Sequence, residues 1–375
     1  MRRCFVATRR TRGEGTIFFL EVRGLWTAKF TLPNGKRRVK YGKTQREVKE
    51  WLLEQRKALS SGIVVDDQKV TVDDFVRRWY QDIATHRLRA TTLDTHERII
   101  RNHIYPTIGH LRLKDLKPAH LQNLYSEKLK SGLSKRTVKY IHTIMHQSLD
   151  QAYRWGMVPR NAADAAESPS IDRRPVEPLK KEQIGRLFEV LKHDRLYPLY
   201  VVFVGCGLRR GEALALTLDC VDFEKNQLYV RKTLVALKGS GLILTEPKTE
   251  RSRRTVAMPD FVKTVLREHL QKRTVDSKYV FCTTNGTPFS PRNIVRHFKS
   301  SLRKAGLPKT IRIHDLRHTF VSYLLSQNTP PRDVQEIVGH ASFSTTMDVY
   351  GHLMPGAKRD AAKKMDSFFN DFGVP

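Results

Sequence analysis

The sequence predicts a multidomain α+β protein: a small three-stranded sheet plus helix, an all-α helical bundle, and a mixed, mainly α domain with a small antiparallel sheet. Three observations support this prediction. Short alternating apolar runs separated by turn residues occupy the first 60 residues. Apolar residues then recur at helical spacing as far as about Ala166. Beyond Ser168–Pro178, which is rich in proline and charge, helical and alternating patterns are mixed.

The charge of the chain is its strongest global property. Lys and Arg number 68 against 38 Asp and Glu, which gives a formal net charge of +30. So large an excess indicates a polyanionic partner, although a soluble basic protein without such a partner is the alternative. A hydrophobic content of 39% can build packed cores, so the composition excludes an intrinsically disordered chain.

Cysteine usage and apolar patterning exclude further classes. The four cysteines are widely scattered, and their spacing indicates neither a zinc site nor a disulfide framework. The N-terminus lacks the apolar stretch of a signal peptide, and no apolar run approaches the length of a membrane span. We therefore expect a soluble, unsecreted, cytoplasmic protein that uses no metal and no cofactor.

The first 62 residues carry a predicted sheet with a basic surface. The predicted strands are Thr16–Val22, Leu25–Leu32 and Lys36–Tyr41. Asn34-Gly35 is a hairpin signal, and Thr44 can cap a following helix. A β-ribbon fits the major groove of DNA, so we expect DNA contact here, with a solvated charged face as the alternative. The candidate DNA-binding residues are Arg23, Lys29, Lys36, Arg37, Arg38 and Lys40.

Residues 68–168 are predicted to form a bundle of about four helices. Thr71 caps the first helix, and Thr91 or Thr92 opens the second, which Pro106 and Gly109 stop. The third and fourth helices are Pro118–Lys130 and Ser134–Trp155.

Two helix starts add further candidate DNA-binding residues. Lys135 and Arg136 follow Ser134, where helix amides and cations can converge on a phosphate, although an ordinary capped helix start explains them equally well. Ser290 caps a later helix whose exposed face carries Arg292 and Arg296, and we expect that face to lie toward DNA.

Residues 179–375 mix helices and strands. The predicted helices are Lys180–Leu191, Tyr197–Val204, the segment ALALTL at 213–218, Phe261–Lys272 and a helix from Ser290. The predicted strands are Gln227–Leu234, Leu242–Thr245, Arg254–Met258 and Tyr279–Cys282.

Two motifs in this region contain cations suited to phosphate chemistry. In CGLRRGE, Arg209 lies where a turn meets a helix start, and Glu212 can orient an arginine by a charge-assisted bond. In EPKTERSRR, Lys248 lies in a predicted turn, where neighbouring cations can lower its pKa until it serves as a general acid. A surface salt-bridge arginine and an exposed turn lysine are the alternatives.

Further cations precede a tyrosine near the end of the chain. His314 and Arg317 lie three residues apart at a predicted helix start, so they are neighbours. Gly339 ends the next helix and delivers His340 to a loop, and Tyr350 follows on a short helix. A lone histidine is more often structural, but several His and Arg residues at helix ends beside a tyrosine favour a site.

This set of side chains suits phosphodiester transfer. Arginines neutralise the non-bridging oxygens, a histidine adds a hydrogen bond or accepts the tyrosine proton, and a lysine protonates the leaving oxygen. Tyrosine needs nearby cations to favour the phenolate. A covalent phosphotyrosine conserves the bond energy, so the chemistry requires neither metal nor nucleotide.

In this order, the motifs CGLRRGE, PKT, HDLRH, VGHAS and DVYGH resemble those of the tyrosine recombinase (phage integrase) family. The resemblance covers nearly the whole chain, although Cys206 stands where threonine is commoner. It implies that Arg209 is the first catalytic arginine, Lys248 the β-hairpin lysine and Tyr350 the nucleophile. The implied catalytic set is Arg209, Lys248, His314, Arg317, His340 and Tyr350.

The resemblance also implies a domain plan. Residues 1–62 resemble the arm-type DNA-binding domain of integrases from phages and conjugative transposons. Residues 68–168 correspond to a SAM-like core-binding domain, 169–178 to a linker, and 179–375 to a catalytic domain with a C-terminal tail. The two larger domains are expected to clamp DNA from opposite faces.

The implied activity is site-specific integration or excision of a mobile element through a 3′-phosphotyrosine and a Holliday junction. The implied partners are double-stranded DNA attachment sites, a homo-tetramer on DNA and a DNA-bending or excision accessory protein, in association with a bacterial nucleoid. The tail Ala361–Phe372 resembles a segment that docks on a neighbouring protomer, and packing within its own chain is the alternative. A non-catalytic DNA-binding protein and a type IB topoisomerase are the competing functions.

Overall fold

The computed structural model describes residues 15–31, 37–60, 69–171, 177–237, 239–246 and 252–339, without the side chains of 57–60. The chain divides into two compact units, Met1–Asp172 and Arg173–Pro375. The architecture is mainly helical with small antiparallel sheets, as the sequence predicts. No helix in the described part of the chain is long and apolar enough to cross a membrane.

The first unit begins with an antiparallel sheet. Its elements are strands β1 (Thr16–Leu20), β2 (Leu25–Thr31) and β3 (Arg37–Gly42), followed by helix α1 (Gln45–Ser60). The strand order is β1-β2-β3. Ala28 and Phe30 alternate toward α1, where they are buried with Val48 and Leu52. The predicted Asn34-Gly35 turn lies outside the described residues.

The rest of the first unit is a helical bundle around one apolar core. Its helices are α2 (Val72–Trp79), α3 (Thr85–Arg87), α4 (Ala90–Ile99), α5 (Tyr105–Ile108), α6 (Pro118–Lys130) and α7 (Lys135–Arg154). Thr71 forms a capping box with Asp74 at the start of α2, which confirms the predicted cap. Ser134 caps α7 by accepting a hydrogen bond from the Thr137 amide.

Pro106 does not stop its helix, so that prediction is wrong. A π-helical turn, Ile100–Ile104, joins α4 to α5, and the Tyr105 amide donates to the Ile100 carbonyl. Proline lacks the N–H that a regular helix needs, and the wider turn before it lets the chain continue. The helix ends at Gly109, the second stop that the sequence predicts.

The second unit combines helices with small antiparallel sheets. Its helices are α8 (Lys181–Leu191), α9 (Tyr197–Gly205), α10 (Arg210–Leu214), α11 (Asp260–Gln271), α12 (Pro291–Lys304), α13 (Ile313–Ser326) and α14 (Pro331–Val338). Its strands are β4 (Val221–Asp222), β5 (Gln227–Val230), β6 (Thr233–Leu237), β7 (Gly241–Thr245) and β8 (Arg254–Ala257). The strands form sheets of order β4-β5-β8 and β6-β7.

Three sequence predictions in this unit are wrong. The strand predicted at Gln227–Leu234 is split, because β5 pairs with β8 whereas β6 pairs with β7. The helix predicted at ALALTL begins earlier, because the Glu212 carboxylate accepts a hydrogen bond from the Arg209 amide and starts α10 at Arg210. The segment around Tyr279 forms isolated bridges to separate parts of the chain, so no continuous strand develops.

Helix α9 lies at the centre of the second unit. Leu199, Tyr200, Val202 and Phe203 cover every side of the helix and are fully buried. The helix packs against α11 and α13. Since α9 leads directly into Cys206, this packing brings the CGLRRGE segment close to the helix that carries HDLRH.

Helix α14 is held against α13 by a small apolar cluster. Val321 and Leu325 of α13 are buried with Val334 and Val338 of α14. Helix α14 also packs against β8. Gly339 ends α14, as the sequence predicts, and has the left-handed conformation with φ of 65°.

Candidate active site

The turn between α9 and α10 links the two predicted arginine motifs. Gly207 has φ of 61°, where side chains are strained, and an added Cβ would meet the Phe320 ring. Its carbonyl accepts a hydrogen bond from the Arg317 guanidinium at 2.7 Å. Two residues later, Arg209 occupies the N-cap position of α10. The glycine therefore allows α13 and the start of α10 to approach closely.

Glu212 is a buried carboxylate that binds two arginines. Its side chain is 2% exposed. It accepts hydrogen bonds from the Arg209 amide at 2.8 Å and from the Arg209 guanidinium at 2.6 Å. The Arg254 guanidinium donates to both carboxylate oxygens, at 3.2 and 3.0 Å. A nitrogen of Arg317 lies 3.9 Å from the same carboxylate. Glu212 thus orients Arg209, as the sequence suggests, and also holds Arg254.

Three successive carbonyls at the end of α14 each accept a hydrogen bond from a different arginine. The pairs are Arg254 with Ile337 at 2.7 Å, Arg317 with Val338 at 2.5 Å, and Arg209 with Gly339 at 2.9 Å. The last carbonyls of a helix lack partners within it and form the negative end of its dipole, so cations stabilise them. This end of α14 directly precedes His340.

The cluster carries excess positive charge in a largely buried setting. Burial would raise the pKa of Glu212, but the charge and hydrogen bonds of Arg254, followed by the charges of Arg209 and Arg317, lower it to about 2. Glu212 is therefore ionised at neutral pH. Three guanidinium groups against one carboxylate leave two positive charges in excess. Arg209 is the most exposed of the three, with 34% of its side chain accessible.

His314 lies near these arginines and is neutral. The residue is exposed, so an external ligand can reach it, and the surrounding protein desolvates it in part. This partial burial, followed by the charges of Arg317 and Arg209, lowers the pKa of His314 below its ordinary value. The His318 ring lies perpendicular to it at 4.6 Å. A neutral imidazole can donate one hydrogen bond and accept another.

The structure brings together Arg209, His314 and Arg317 of the predicted catalytic set. Lys248, His340 and Tyr350 lie outside the described residues. The strands that flank Lys248 do not pair with each other, because β7 pairs with β6 and β8 pairs with β5. The role of Lys248 as the β-hairpin lysine therefore stays a prediction, because residues 247–251 lie outside the described residues.

Arg254 is a central residue of this cluster that the sequence analysis missed. Its side chain is 6% exposed, and it binds Glu212, the Ile337 carbonyl and the Ser252 carbonyl. The signal was available, because Arg254 begins a strand and alternates with buried Val256. A charged residue on the inward face of a strand requires a partner.

The candidate DNA-binding residues of the front sheet do not share one face. Lys29 pairs directly with Val39 and Arg37 with Thr31, on the face away from α1. Arg38 and Lys40 lie opposite the buried Phe30 and Ala28, on the helix side, and Lys40 is 3.6 Å from Glu47. Arg23 lies outside the strands, over the Tyr41 ring. Lys36 falls in a part of the chain that the structure does not describe.

The other DNA-binding candidates are exposed at helix starts. Lys135 and Arg136 occupy the first turn of α7, immediately after the Ser134 cap. Arg292 and Arg296 lie four residues apart on the exposed face of α12. Both pairs are therefore accessible to a phosphate backbone.

Two family profiles match this chain. Residues 177–356 match the Phage integrase family, and residues 71–129 match the phage integrase N-terminal SAM-like domain. The first match contains all six residues of the predicted catalytic set. The second covers the start of the helical bundle.

Individual proteins agree with these matches. A XerC-like tyrosine recombinase of Caldanaerobacter subterraneus subsp. tengcongensis is 28% identical over 90% of this chain and 93% of its own length. Tyrosine recombinase XerA of Pyrococcus furiosus is 30% identical over 56% of this chain and 69% of its own length. The Tn1549 transposon integrase in complex with a circular intermediate DNA shares the fold, with a TM-score of 0.71 at 22% identity over 79% of this chain and 99% of that one. The chain therefore belongs to the phage integrase family of tyrosine recombinases, enzymes that transfer DNA strands.

Proposed function

We propose that this recombinase integrates or excises a mobile element at specific DNA sites through an active site of six residues. These are Arg209, Lys248, His314, Arg317, His340 and Tyr350. The observation that carries the proposal is the cluster around Glu212, in which arginines outnumber carboxylates and an exposed histidine lies alongside. Such a cluster suits an anionic ligand whose charge increases during reaction.

In the proposed reaction, the Tyr350 oxygen attacks the scissile phosphorus. A bond forms between the tyrosine oxygen and phosphorus, and the bond from phosphorus to the 5′ oxygen breaks. Lys248 supplies the proton for the departing 5′ oxygen, and His314 or His340 accepts the tyrosine proton. The product is a 3′-phosphotyrosine and a free 5′ hydroxyl. Attack by a 5′ hydroxyl of the partner duplex reverses these steps and rejoins the strand.

The arginines stabilise the charge that this reaction develops. A phosphodiester has one negative charge, and negative charge accumulates on its non-bridging oxygens as the tyrosine attacks. The excess positive charge beside Glu212 offsets that increase where water is largely excluded, and there electrostatic attraction is stronger than in water. Arg209 is exposed enough to contact the phosphate. Arg317 is buried beside Glu212 and contributes its positive charge from there.

Recombination between two duplexes requires an assembly. Each exchange breaks four strands, and each Tyr350 can hold one broken end, so four protomers act together through a Holliday junction. The tail Ala361–Phe372, which lies outside the described residues, is proposed to dock on a neighbouring protomer. Cations on α7, α12 and the outer face of the front sheet hold DNA attachment sites, and an accessory protein bends the DNA. The enzyme works on the bacterial nucleoid.

A nicked suicide substrate tests the nucleophile. The substrate is a core-site duplex with a nick near the cleavage position, so that cleavage releases a short fragment carrying the 5′ hydroxyl. Because this fragment diffuses away, the strand cannot be rejoined and wild-type protein should stay covalently attached. Tyr350→Phe should abolish this attachment and leave DNA binding unchanged, because only the attacking oxygen is lost. Tyr323→Phe is the matched control, since Tyr323 is an exposed tyrosine of α13 and should be dispensable. Denaturing gels and mobility shifts measure the two properties.

The same assay separates the competing functions. Undiminished trapping with Tyr350→Phe would assign the nucleophile to another residue. A mobility shift without any covalent complex would favour a non-catalytic DNA-binding protein. Relaxation of supercoiled plasmids regardless of sequence would favour a type IB topoisomerase.

A further inference from the structure

We propose that Arg254 is a positioning residue for strand cleavage. It locks the end of α14 onto Glu212, the carboxylate that orients Arg209. The inference rests on the proposed function, because it concerns the active site defined there. Arg254 does not belong to the six catalytic residues, and only 6% of its side chain is exposed.

The contacts of Arg254 use both ends of its guanidinium. One end donates to the two Glu212 oxygens at 3.2 and 3.0 Å, and Nε donates to the Ile337 carbonyl at 2.7 Å. The second contact fixes the last turn of α14, three residues ahead of His340. Only a planar, forked donor can make both contacts at once.

These contacts connect the two halves of the proposed active site. Glu212 receives Arg254 on the same two oxygens that receive Arg209, so displacement of Arg254 changes the surroundings of Arg209. The end of α14 also receives Arg317 and Arg209 at Val338 and Gly339. The buried side chain of Arg254 therefore connects Glu212 of α10 to the end of α14, the helix that precedes His340 in the sequence.

A surface role would not produce this arrangement. The neighbouring Arg253 pairs with Glu246 at 2.6 Å, but 58% of its side chain is exposed. Exposed pairs of that kind contribute little to stability or position. Arg254 lies within the Glu212 cluster, whereas the adjacent Arg253 lies outside it. Arg253 is therefore a matched control for Arg254.

The test compares Arg254→Lys with Arg253→Lys in the full-length chain. Lysine keeps the positive charge beside Glu212 but cannot hold Glu212 and the Ile337 carbonyl together. In single-turnover cleavage of the suicide substrate, Arg254→Lys should be slower than wild type by about tenfold to hundredfold, as expected for a small misplacement of catalytic groups. Its affinity for the core site should be unchanged. Arg253→Lys should match wild type in both measurements.

A second substrate distinguishes positioning from a general loss of structure. A methylphosphonate at the cleavage site lacks the negative charge that the arginines neutralise. If Arg254 acts by placing Arg209, the defect of Arg254→Lys should shrink markedly on this substrate. A loss of folded protein would reduce cleavage of both substrates by the same factor, because both are measured with one preparation.

The outcomes assign success or failure clearly. Wild-type cleavage by Arg254→Lys, or an equal defect on both substrates, would overturn the positioning role while leaving the proposed function intact. Absence of a covalent complex with the wild-type chain would overturn the proposed function, and the positioning role with it. A defect confined to Arg254→Lys and relieved by the methylphosphonate supports the role.

Discussion

Glu212 illustrates how single residues set the character of this site. Removing one partner of a buried carboxylate lowers the free energy of unfolding by about 3–5 kcal/mol. The guanidinium partners of Glu212 are therefore needed for stability as well as for charge. Because the pKa of Glu212 is lowered to about 2, the carboxylate stays ionised at neutral pH, and its stabilising effect is lost as pH falls from the ordinary pKa of a glutamate through about 2. His314 behaves differently, since its lowered pKa keeps it neutral at pH 7. The site therefore combines permanent cations with an uncharged imidazole.

The proposed acid, Lys248, predicts a dependence on the leaving group. Lys248→Ala should slow cleavage of an ordinary substrate by about 10²–10⁴-fold, the usual contribution of a general acid. A substrate with sulfur at the bridging 5′ position should largely escape this defect, because a thiolate leaves without protonation. Single-turnover rates on both substrates provide the comparison.

Lys225→Ala is the matched control for Lys248. Lys225 lies in the turn between β4 and β5, with 70% of its side chain exposed. Its replacement should leave both rates at the wild-type level. Equal defects of Lys248→Ala on the oxygen and sulfur substrates would remove Lys248 from the acid role.

At the scale of elements, the sequence predicts what local signals determine. The cap at Thr71 and the end of α14 at Gly339 appear as expected, because each depends on residues within one helical turn. The split of Gln227–Leu234 between two sheets was not predictable, since pairing with β8 and β7 is set by distant segments. The alternation of strand β8 could have marked Arg254 as an inward charge, but its partners Glu212 and Ile337 could not be predicted, because they lie 42 and 83 residues away.

The conformation of the turn between α9 and α10 implies that any side chain at Gly207 lowers the stability of the protein. Gly207→Ala should destabilise the second unit by about 1–3 kcal/mol, because alanine is strained at this positive φ and its Cβ meets Phe320. Cleavage should also fall, since the Gly207 carbonyl holds Arg317. Chemical denaturation and the suicide substrate measure the two effects.

Gly185→Ala is the control for this change. Gly185 lies within α8, where an added Cβ meets no other atom within 4 Å. Alanine favours a helix more than glycine by about 0.5–1 kcal/mol, so this variant should be at least as stable as wild type. If the two alanine variants lost equal stability, the explanation offered for Gly207 would be wrong.

The whole molecule combines two compact units with a large positive charge. Each unit buries its own apolar core, and charge is spread over both. A net charge of +30 attracts DNA at long range and holds its phosphates without reading sequence. Binding strength must then depend steeply on salt, and each true phosphate contact contributes to that dependence.

One such phosphate contact can be tested at the start of helix α7. Arg136→Ala, at the exposed start of α7, should weaken DNA binding and reduce the slope of log affinity against log salt by about one. Arg154→Ala is the control at the other end of the same helix, where Arg154 pairs with Asp150 at 3.0 Å. Its slope should equal that of the wild type. An unchanged slope for Arg136→Ala would remove this residue from the DNA surface.

The alternation of β8 has a consequence for how this chain tolerates changes in length. Arg254 and Val256 point inward, whereas Thr255 and Ala257 are exposed. One residue inserted or deleted inside this strand exchanges the two sets, which turns an uncharged threonine toward Glu212 and Arg254 toward solvent. An internal tag or loop graft must therefore preserve the spacing from Arg254 to Val256. Homologous segments of different length can be exchanged only where the residues at positions 254 and 256 of this strand still point inward.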